Sequence, residues 1–87
     1  MKITEIQIIP IKANNGLVAF GSVIFDDSLY LGSIGIHKRL AGAGYRITYP
    51  TKKIGDNNIN IYHPINKETS KLIEEAIIAR VEKLLNQ

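Results

Sequence analysis

The pattern of hydrophobic and polar residues changes its period near residue 66 and divides the chain into two parts. Residues 1–65 contain segments with a period of two, which is typical of β-strands, whereas residues 66–87 carry apolar side chains three and four positions apart, as in an amphipathic helix. The sequence therefore predicts an α+β fold: an antiparallel β-sheet of about five strands followed by one C-terminal amphipathic α-helix. Residues 1–87 are expected to form a single domain.

Turn-forming residues mark the ends of the predicted strands. Residues 14–16 (Asn-Asn-Gly) and 26–28 (Asp-Asp-Ser) are turn signals, because Asn, Asp and Gly tolerate the positive φ angles of tight hairpins. Pro10 cannot donate a ladder hydrogen bond, so it is predicted to lie in an edge strand or at a strand end, next to a bulge. The apolar run 17–25 is predicted to be a central strand. The predicted strands span residues 2–12, 17–25, 29–39, 45–49 and 59–62, with a loop over residues 51–58.

Asn66 is predicted to cap the helix, which is expected to run from about residue 67 to residue 85. Ile78 and Leu85 lie off the centre of the apolar stripe, and Arg80 falls within it, where its long side chain is expected to extend to solvent. The stripe predicted to cover one face of the sheet consists of Thr69, Leu72, Ile73, Ala76, Ile77, Val81 and Leu84.

Composition predicts a soluble globular domain, with 45% hydrophobic residues, 22% charged residues and a net charge of +3. The absence of cysteine excludes disulfide bonds and thiolate metal sites. Polar residues and Pro10 interrupt the first apolar stretch, and no apolar run reaches the roughly 20 residues of a membrane span. We therefore expect a cytoplasmic protein without a signal peptide and without a membrane partner.

Residues that could support catalysis are not arranged for it. His37 and His63 fall on different predicted elements, so no metal site is expected, and Asp26 with Asp27 forms a predicted turn rather than an acid/base pair. The glycines do not match a phosphate-binding loop or a dinucleotide fingerprint. The sequence predicts a protein that is not an enzyme, with no cofactor and no small-molecule substrate. His63, Pro64 and Asn66 are interpreted as a structural corner between strand and helix.

One segment concentrates positive charge, because no acidic residue lies between Asp27 and Asp56. Lysine and arginine bind phosphates and aromatic rings stack on unpaired bases, so this segment is a candidate nucleic-acid-binding region. The candidate phosphate-binding residues are His37, Lys38, Arg39, Arg46, Lys52 and Lys53. The candidate stacking residues are Tyr45, Tyr49 and Tyr62.

Residue types alone leave a second interpretation open. Lys52 and Lys53 could be a solvated loop while the tyrosines pack under the helix. The corresponding function is a non-catalytic, dimeric protein-interaction scaffold whose basic loop binds an acidic protein partner. Tyrosines exposed beside the lysines favour nucleic acid, and buried tyrosines favour the scaffold.

The order of motifs from Tyr49 to Asn66 resembles the SpoVG family, the bacterial stage V sporulation protein G or septation regulators. The resemblance extends over nearly the whole chain and is most specific in Tyr-Pro-Thr-Lys-Lys at residues 49–53 and Ile-Tyr-His-Pro-Ile-Asn at residues 61–66. It implies a small dimeric regulator that binds DNA or RNA and acts in septation, sporulation or other gene expression. It also implies an antiparallel sheet with a C-terminal helix.

The family's basic positions fall on Lys52, Lys53 and His37 of this chain, while Arg46 stands where the family usually has an apolar residue. A homodimer is predicted independently, because a chain of 87 residues has a small core and the predicted sheet has an exposed edge.

Overall fold

Four antiparallel strands form the main sheet of the protein, whose computed structural model describes residues 1–40, 42 and 44–85. They are β1 (Ile3–Asn14), β2 (Leu17–Phe25), β3 (Leu29–Lys38) and β4 (Tyr45–Thr48), lying side by side in that order. Strands β5 (Thr51–Ile54) and β6 (Asn57–Asn60) pair with each other, and helix α1 (Lys67–Leu85) follows. The predicted α+β class is confirmed. Among the described residues, no helix has the length and apolar character needed to cross a membrane.

The first two hairpins close at the predicted turns. Asn15 and Gly16 have φ angles of 53° and 92°, and Asp26 and Asp27 have φ angles of 50° and 51°. Two consecutive positive φ angles match the right-handed twist of the strands that such turns connect. The pairing register of β1 shifts after Pro10, so the predicted edge strand and its bulge are confirmed, as is the central position of β2.

Helix α1 covers one face of the main sheet, which we call the closed face, and the opposite face is called the open face. Directly opposed residues in an antiparallel ladder share a face, and neighbours along a strand alternate. The closed face and the helix share a core of Ala19, Val23, Phe25, Ile34, Ile36, Tyr45, Ile73, Ile77 and Val81. The register places Phe20, Ile24, Tyr30, His37 and Arg46 on the open face.

The apolar stripe of the helix lies partly where the sequence predicted it. Ile73, Ile77 and Val81 are buried, but Leu72 and Leu84 are 40% and 47% exposed. The predicted burial of Leu84 is wrong because the helix contacts the sheet along a row of residues spaced by four, which continues to Leu85. Leu85 and Ile78 are half-buried and pack against the core.

Residues 51–60 form a β-hairpin, so the predicted loop over residues 51–58 is wrong, and the strand predicted over residues 59–62 instead spans Asn57–Asn60. Gly55, at a φ angle of 61°, lies in its turn, and Ile61 N–H donates to the Pro50 carbonyl at 3.1 Å at its base. Every residue of both strands is exposed. Because neither face of this two-stranded ribbon is buried, its residues show little alternation of apolar and polar side chains, and the strands could not be predicted from that pattern.

Candidate nucleic-acid interface

Cationic side chains gather at the end of the main sheet where β3 finishes and β4 begins. Lys38 pairs with Tyr45 across the ladder and Arg46 pairs with His37, while Arg39 N–H donates to the Gly44 carbonyl at 3.1 Å. We call Lys38, Arg39 and Arg46 the cationic cluster. A cavity of about 340 Å³ at this end is lined by Asn15, Gly16, His37, Lys38, Arg39, Leu40 and Arg46.

Among the described residues, no carboxylate forms an ion pair with the cationic cluster. Within residues 1–40, 42 and 44–85, the one ion pair joins Lys71 Nζ and Glu75 Oε1 at 3.9 Å, on the exposed side of the helix. Lys38, Arg39 and Arg46 are themselves exposed. The positive charge at this end of the sheet is therefore free to interact with an anion.

His37 adds a ring rather than a charge to this end of the sheet. Its Nε2 lies 3.0 Å from Thr48 Oγ1 on the open face. Partial burial, and then the positive charge of Arg46, lower the pKa of His37 from its usual 6.5. The imidazole is therefore mainly neutral at pH 7, and only three of the four residues predicted at this end are permanent cations.

Lys52 and Lys53 lie on β5 of the hairpin and do not line the cavity at the cationic cluster. Because they are consecutive in a strand, they project from opposite faces of the ribbon. Lys52 shares a face with Ile59, its partner across the ladder, and Lys53 shares the other face with Asn58. The structure thus divides the predicted basic residues into two groups, one at the sheet end and one on the hairpin.

The three predicted stacking residues are packed into the protein. Tyr45 is 8% exposed in the core, so its predicted stacking on a base is wrong. Tyr49 and Tyr62 are half-buried, with ring centroids 6.0 Å apart at 70°, and Tyr62 Oη donates to the Gly32 carbonyl. Burial raises the pKa of each of these two hydroxyls to about 12. This is the arrangement that the alternative interpretation predicted for the tyrosines.

Two exposed aromatic residues were missing from the candidates. Phe20 is 39% exposed and Tyr30 is 65% exposed, and both lie on the open face. The available signal was the alternation within residues 17–25, where Phe20, Ser22 and Ile24 share one face of the strand. That signal is weak because both faces of β2 are largely apolar.

The predicted corner residues connect the hairpin to the helix. Asn66 Oδ1 accepts the Thr69 N–H at 2.8 Å, which is the geometry of an N-cap, and His63 Nδ1 donates to the Pro64 carbonyl at 3.0 Å. In the part of the chain that the structure describes, no three His, Asp or Glu side chains form a group that could hold a metal ion.

Comparison with known proteins shows similarity over almost the whole chain. The sequence model of the SpoVG family matches residues 1–83. A protein of Phytoplasma australiense is 32% identical over 87 residues, covering 99% of this chain and 88% of the relative. One from Alkaliphilus oremlandii is 34% identical, covering 97% and 89%, and one from Clostridium acetobutylicum is 35% identical, covering 100% and 90%. All three are named "Putative septation protein SpoVG".

Proposed function

Because the chain belongs to the SpoVG family, we propose that it is a bacterial regulatory protein that binds DNA or RNA and acts in septation, sporulation or related gene expression. The names of the relatives support the septation part of this proposal. The nucleic-acid part rests on the surface of this chain. We place the protein in the cytoplasm, without a cofactor and without catalytic activity.

The uncompensated cationic cluster carries the proposal. Three permanent cations at the end of β3 and the start of β4 can contact successive phosphates. Each neutralised phosphate contributes a slope of about −0.9 to log K against log salt for duplex DNA. The cluster alone therefore accounts for a slope of roughly −2.7. Lys52 and Lys53 on the exposed hairpin supply a second group of phosphate contacts.

Charge reversal tests the cluster directly. The Lys38→Glu/Arg46→Glu variant should bind duplex DNA, single-stranded DNA and RNA more weakly, with the duplex slope reduced by about 1.8, because two phosphate contacts are lost. Lys67→Glu/Lys83→Glu on the helix changes the net charge equally and should retain most of the affinity. Fluorescence anisotropy at several salt concentrations measures both. The cluster is not the interface if both variants behave alike while circular dichroism shows intact folds.

The hairpin favours a second candidate, a scaffold that binds an acidic protein. Ile54 and Ile59 are 54% and 47% exposed on the ribbon face that carries Lys52. A mixed apolar and basic surface suits an acidic peptide with apolar side chains. This candidate replaces the first if the wild-type protein binds no nucleic acid at low salt but binds an acidic peptide, and if Lys52→Glu abolishes that binding.

The homodimer stays a prediction. β1 has an unpaired outer edge, and unpaired strand edges and exposed ribbons are common sites of pairing between copies. Neither cationic group needs a second copy to be complete, so the proposed binding does not depend on the dimer.

A further inference from the structure

Tyr30 lies against the open face of the sheet instead of standing away from it. A Cβ placed on Gly32 would come within 2.6 Å of Tyr30 Oη and within 2.7 Å and 2.9 Å of two ring carbons. The ring therefore occupies the space that a side chain at residue 32 would fill. With 65% of the residue exposed, the outer side of the ring faces solvent.

The same arrangement recurs at the other end of the open face. A Cβ on Gly35 would lie 3.2 Å from His37 Nε2 and 2.7 Å from Thr48 Oγ1, so the imidazole reaches across this glycine to its hydrogen-bond partner. Phe20 is the ladder partner of Gly35. Diagonal neighbours in a sheet are about 7–8 Å apart, which places Phe20 and His37 within reach of one ligand.

A shallow cavity of about 280 Å³ connects the two aromatic residues of the open face. Phe20 and Tyr30 both line it, together with Ile9, whose side chain is apolar. Gln7 and Ser33 add polar groups at its sides. Exposed rings with polar neighbours can stack on a flat heterocycle and donate hydrogen bonds to its edge.

Charge is distributed unevenly along the open face. Arg46 lies on it opposite His37, next to the rest of the cationic cluster. Glu5 and the Asp26–Asp27 turn lie toward the Tyr30 end, where Lys2 offsets only part of their negative charge. An anionic chain is therefore attracted to the Phe20 and His37 end. A ligand that combines phosphates with flat aromatic groups matches this face better than an apolar protein surface would.

We propose that the open face is a stacking platform on which Phe20, His37 and Tyr30 receive the unpaired bases of a single-stranded nucleic acid whose phosphates contact the cationic cluster, beginning with Arg46 on the same face. The platform rests on the proposed function and makes it more specific, because it selects single strands over duplexes. In a duplex the base faces are stacked on one another, so the rings cannot reach them. Other four-stranded sheets bind single-stranded RNA by stacking bases on aromatic side chains of an open face.

Removing the rings while keeping the apolar surface tests the platform. Phe20→Leu and Tyr30→Leu should each weaken binding of labelled thymidine and uridine oligomers of about 12 nucleotides by roughly 5- to 150-fold, since that is the contribution of one stacked base. Tyr30→Phe keeps the ring and should keep the affinity. Leu72→Ala is the control, because Leu72 on the helix is 40% exposed, close to the 39% of Phe20. Folding of each variant is checked by circular dichroism.

Two further readouts separate stacking from phosphate contact. A 2-aminopurine base in the oligomer should be quenched by the wild type and less by the leucine variants, while the salt slope stays unchanged because no cation has been removed. The affinities for the thymidine and uridine oligomers show whether the wild type prefers DNA or RNA. Tight binding of either oligomer supports the platform.

Contrary outcomes are distinguishable. If the wild type binds no nucleic acid, the proposed function fails and the platform fails with it. If the wild type binds but prefers duplex DNA, or if the leucine variants keep full affinity for both oligomers, the platform is wrong and the proposed function stands. If sedimentation shows that the wild type is dimeric and the leucine variants are monomeric, with affinity per chain unchanged, the open face binds a second copy instead.

Discussion

The two faces of the main sheet differ in their residue types and in what covers them, since the closed face is almost wholly apolar and the open face mixes aromatic, polar and charged side chains. On the closed face, Val23, Ile34 and Ile36 have no exposed surface, because the helix packs over them. On the open face, Phe20 and Tyr30 remain accessible although they are as apolar as many core residues. The helix packs on the more apolar face, and the aromatic residues of the mixed face stay accessible because the helix does not cover that face.

The two faces also contribute differently to the stability of the fold and to the proposed binding. The closed face derives its free energy from burial, whereas the open face contributes little burial and presents rings and charge to solvent. Substitutions on the two faces should accordingly have different consequences for folding.

The largest difference is expected between an isoleucine of the helix that covers the closed face and an isoleucine of the open face. Ile77→Ala should lower the free energy of unfolding by about 2–5 kcal/mol, because Ile77 is fully buried and its truncation leaves a cavity. Ile9→Ala, at a residue that is 62% exposed, should cost less than about 0.5 kcal/mol. Urea denaturation measures both. A large cost at Ile9 would contradict the comparison and show that another molecule covers the open face in solution.

A smaller effect is expected from the cap of the helix that closes one face. Asn66→Ala removes the acceptor of the Thr69 N–H and should cost about 1 kcal/mol. Asn60→Ala, on the exposed hairpin, is the matched control and should cost under about 0.5 kcal/mol. Thermal denaturation, followed by circular dichroism at a wavelength that reports helix content, compares the two variants. Equal midpoints would mean that the cap does not stabilise the helix.

The smallest effect concerns pH on the open face. Burial and Arg46 lower the pKa of His37 in the folded protein, so the neutral ring is favoured by folding. Its contribution to stability is fully present above the unfolded pKa of about 6.5 and is lost as pH falls through the lower folded value. The difference in urea midpoint between wild type and His37→Gln should therefore shrink from pH 7.5 toward acid pH. A difference independent of pH would show that the folded protein does not disfavour the protonated ring.

Local features of the fold could be predicted from the sequence. The turns at residues 15–16 and 26–27 depend on residues that tolerate positive φ, and the cap at Asn66 depends on one side chain and one N–H three residues later. Such features are determined by neighbours in the chain. The alternation of Tyr45 and Tyr49 onto one face was also correctly predicted, whereas the sequence left open whether this face would meet the helix.

Features that depend on distant contacts could not be predicted in the same way. The angle at which the helix crosses the sheet decides that Leu85 packs on the core while Leu84 is exposed, and no local pattern specifies that angle. For the candidate site, charge identified the cationic cluster, but the exposed aromatic residues of the open face were not identified, because β2 is apolar on both faces. Phe20 was therefore hidden in what reads as a buried strand.

The helix that closes the sheet follows all of the strands in the sequence, yet it packs against the first of them. Arg80 Nη1 donates to the Ile6 carbonyl at 3.4 Å across 74 residues, and α1 packs against both β1 and β4. During translation the strands are therefore made before the helix that covers their apolar side. At about 5–20 residues per second, synthesis of the 19 residues of α1 takes roughly 1–4 s. Until α1 is complete and can pack, the strands lack the cover of their apolar side, and a chain halted before Ile73 would keep that side exposed as a target for chaperones or for aggregation.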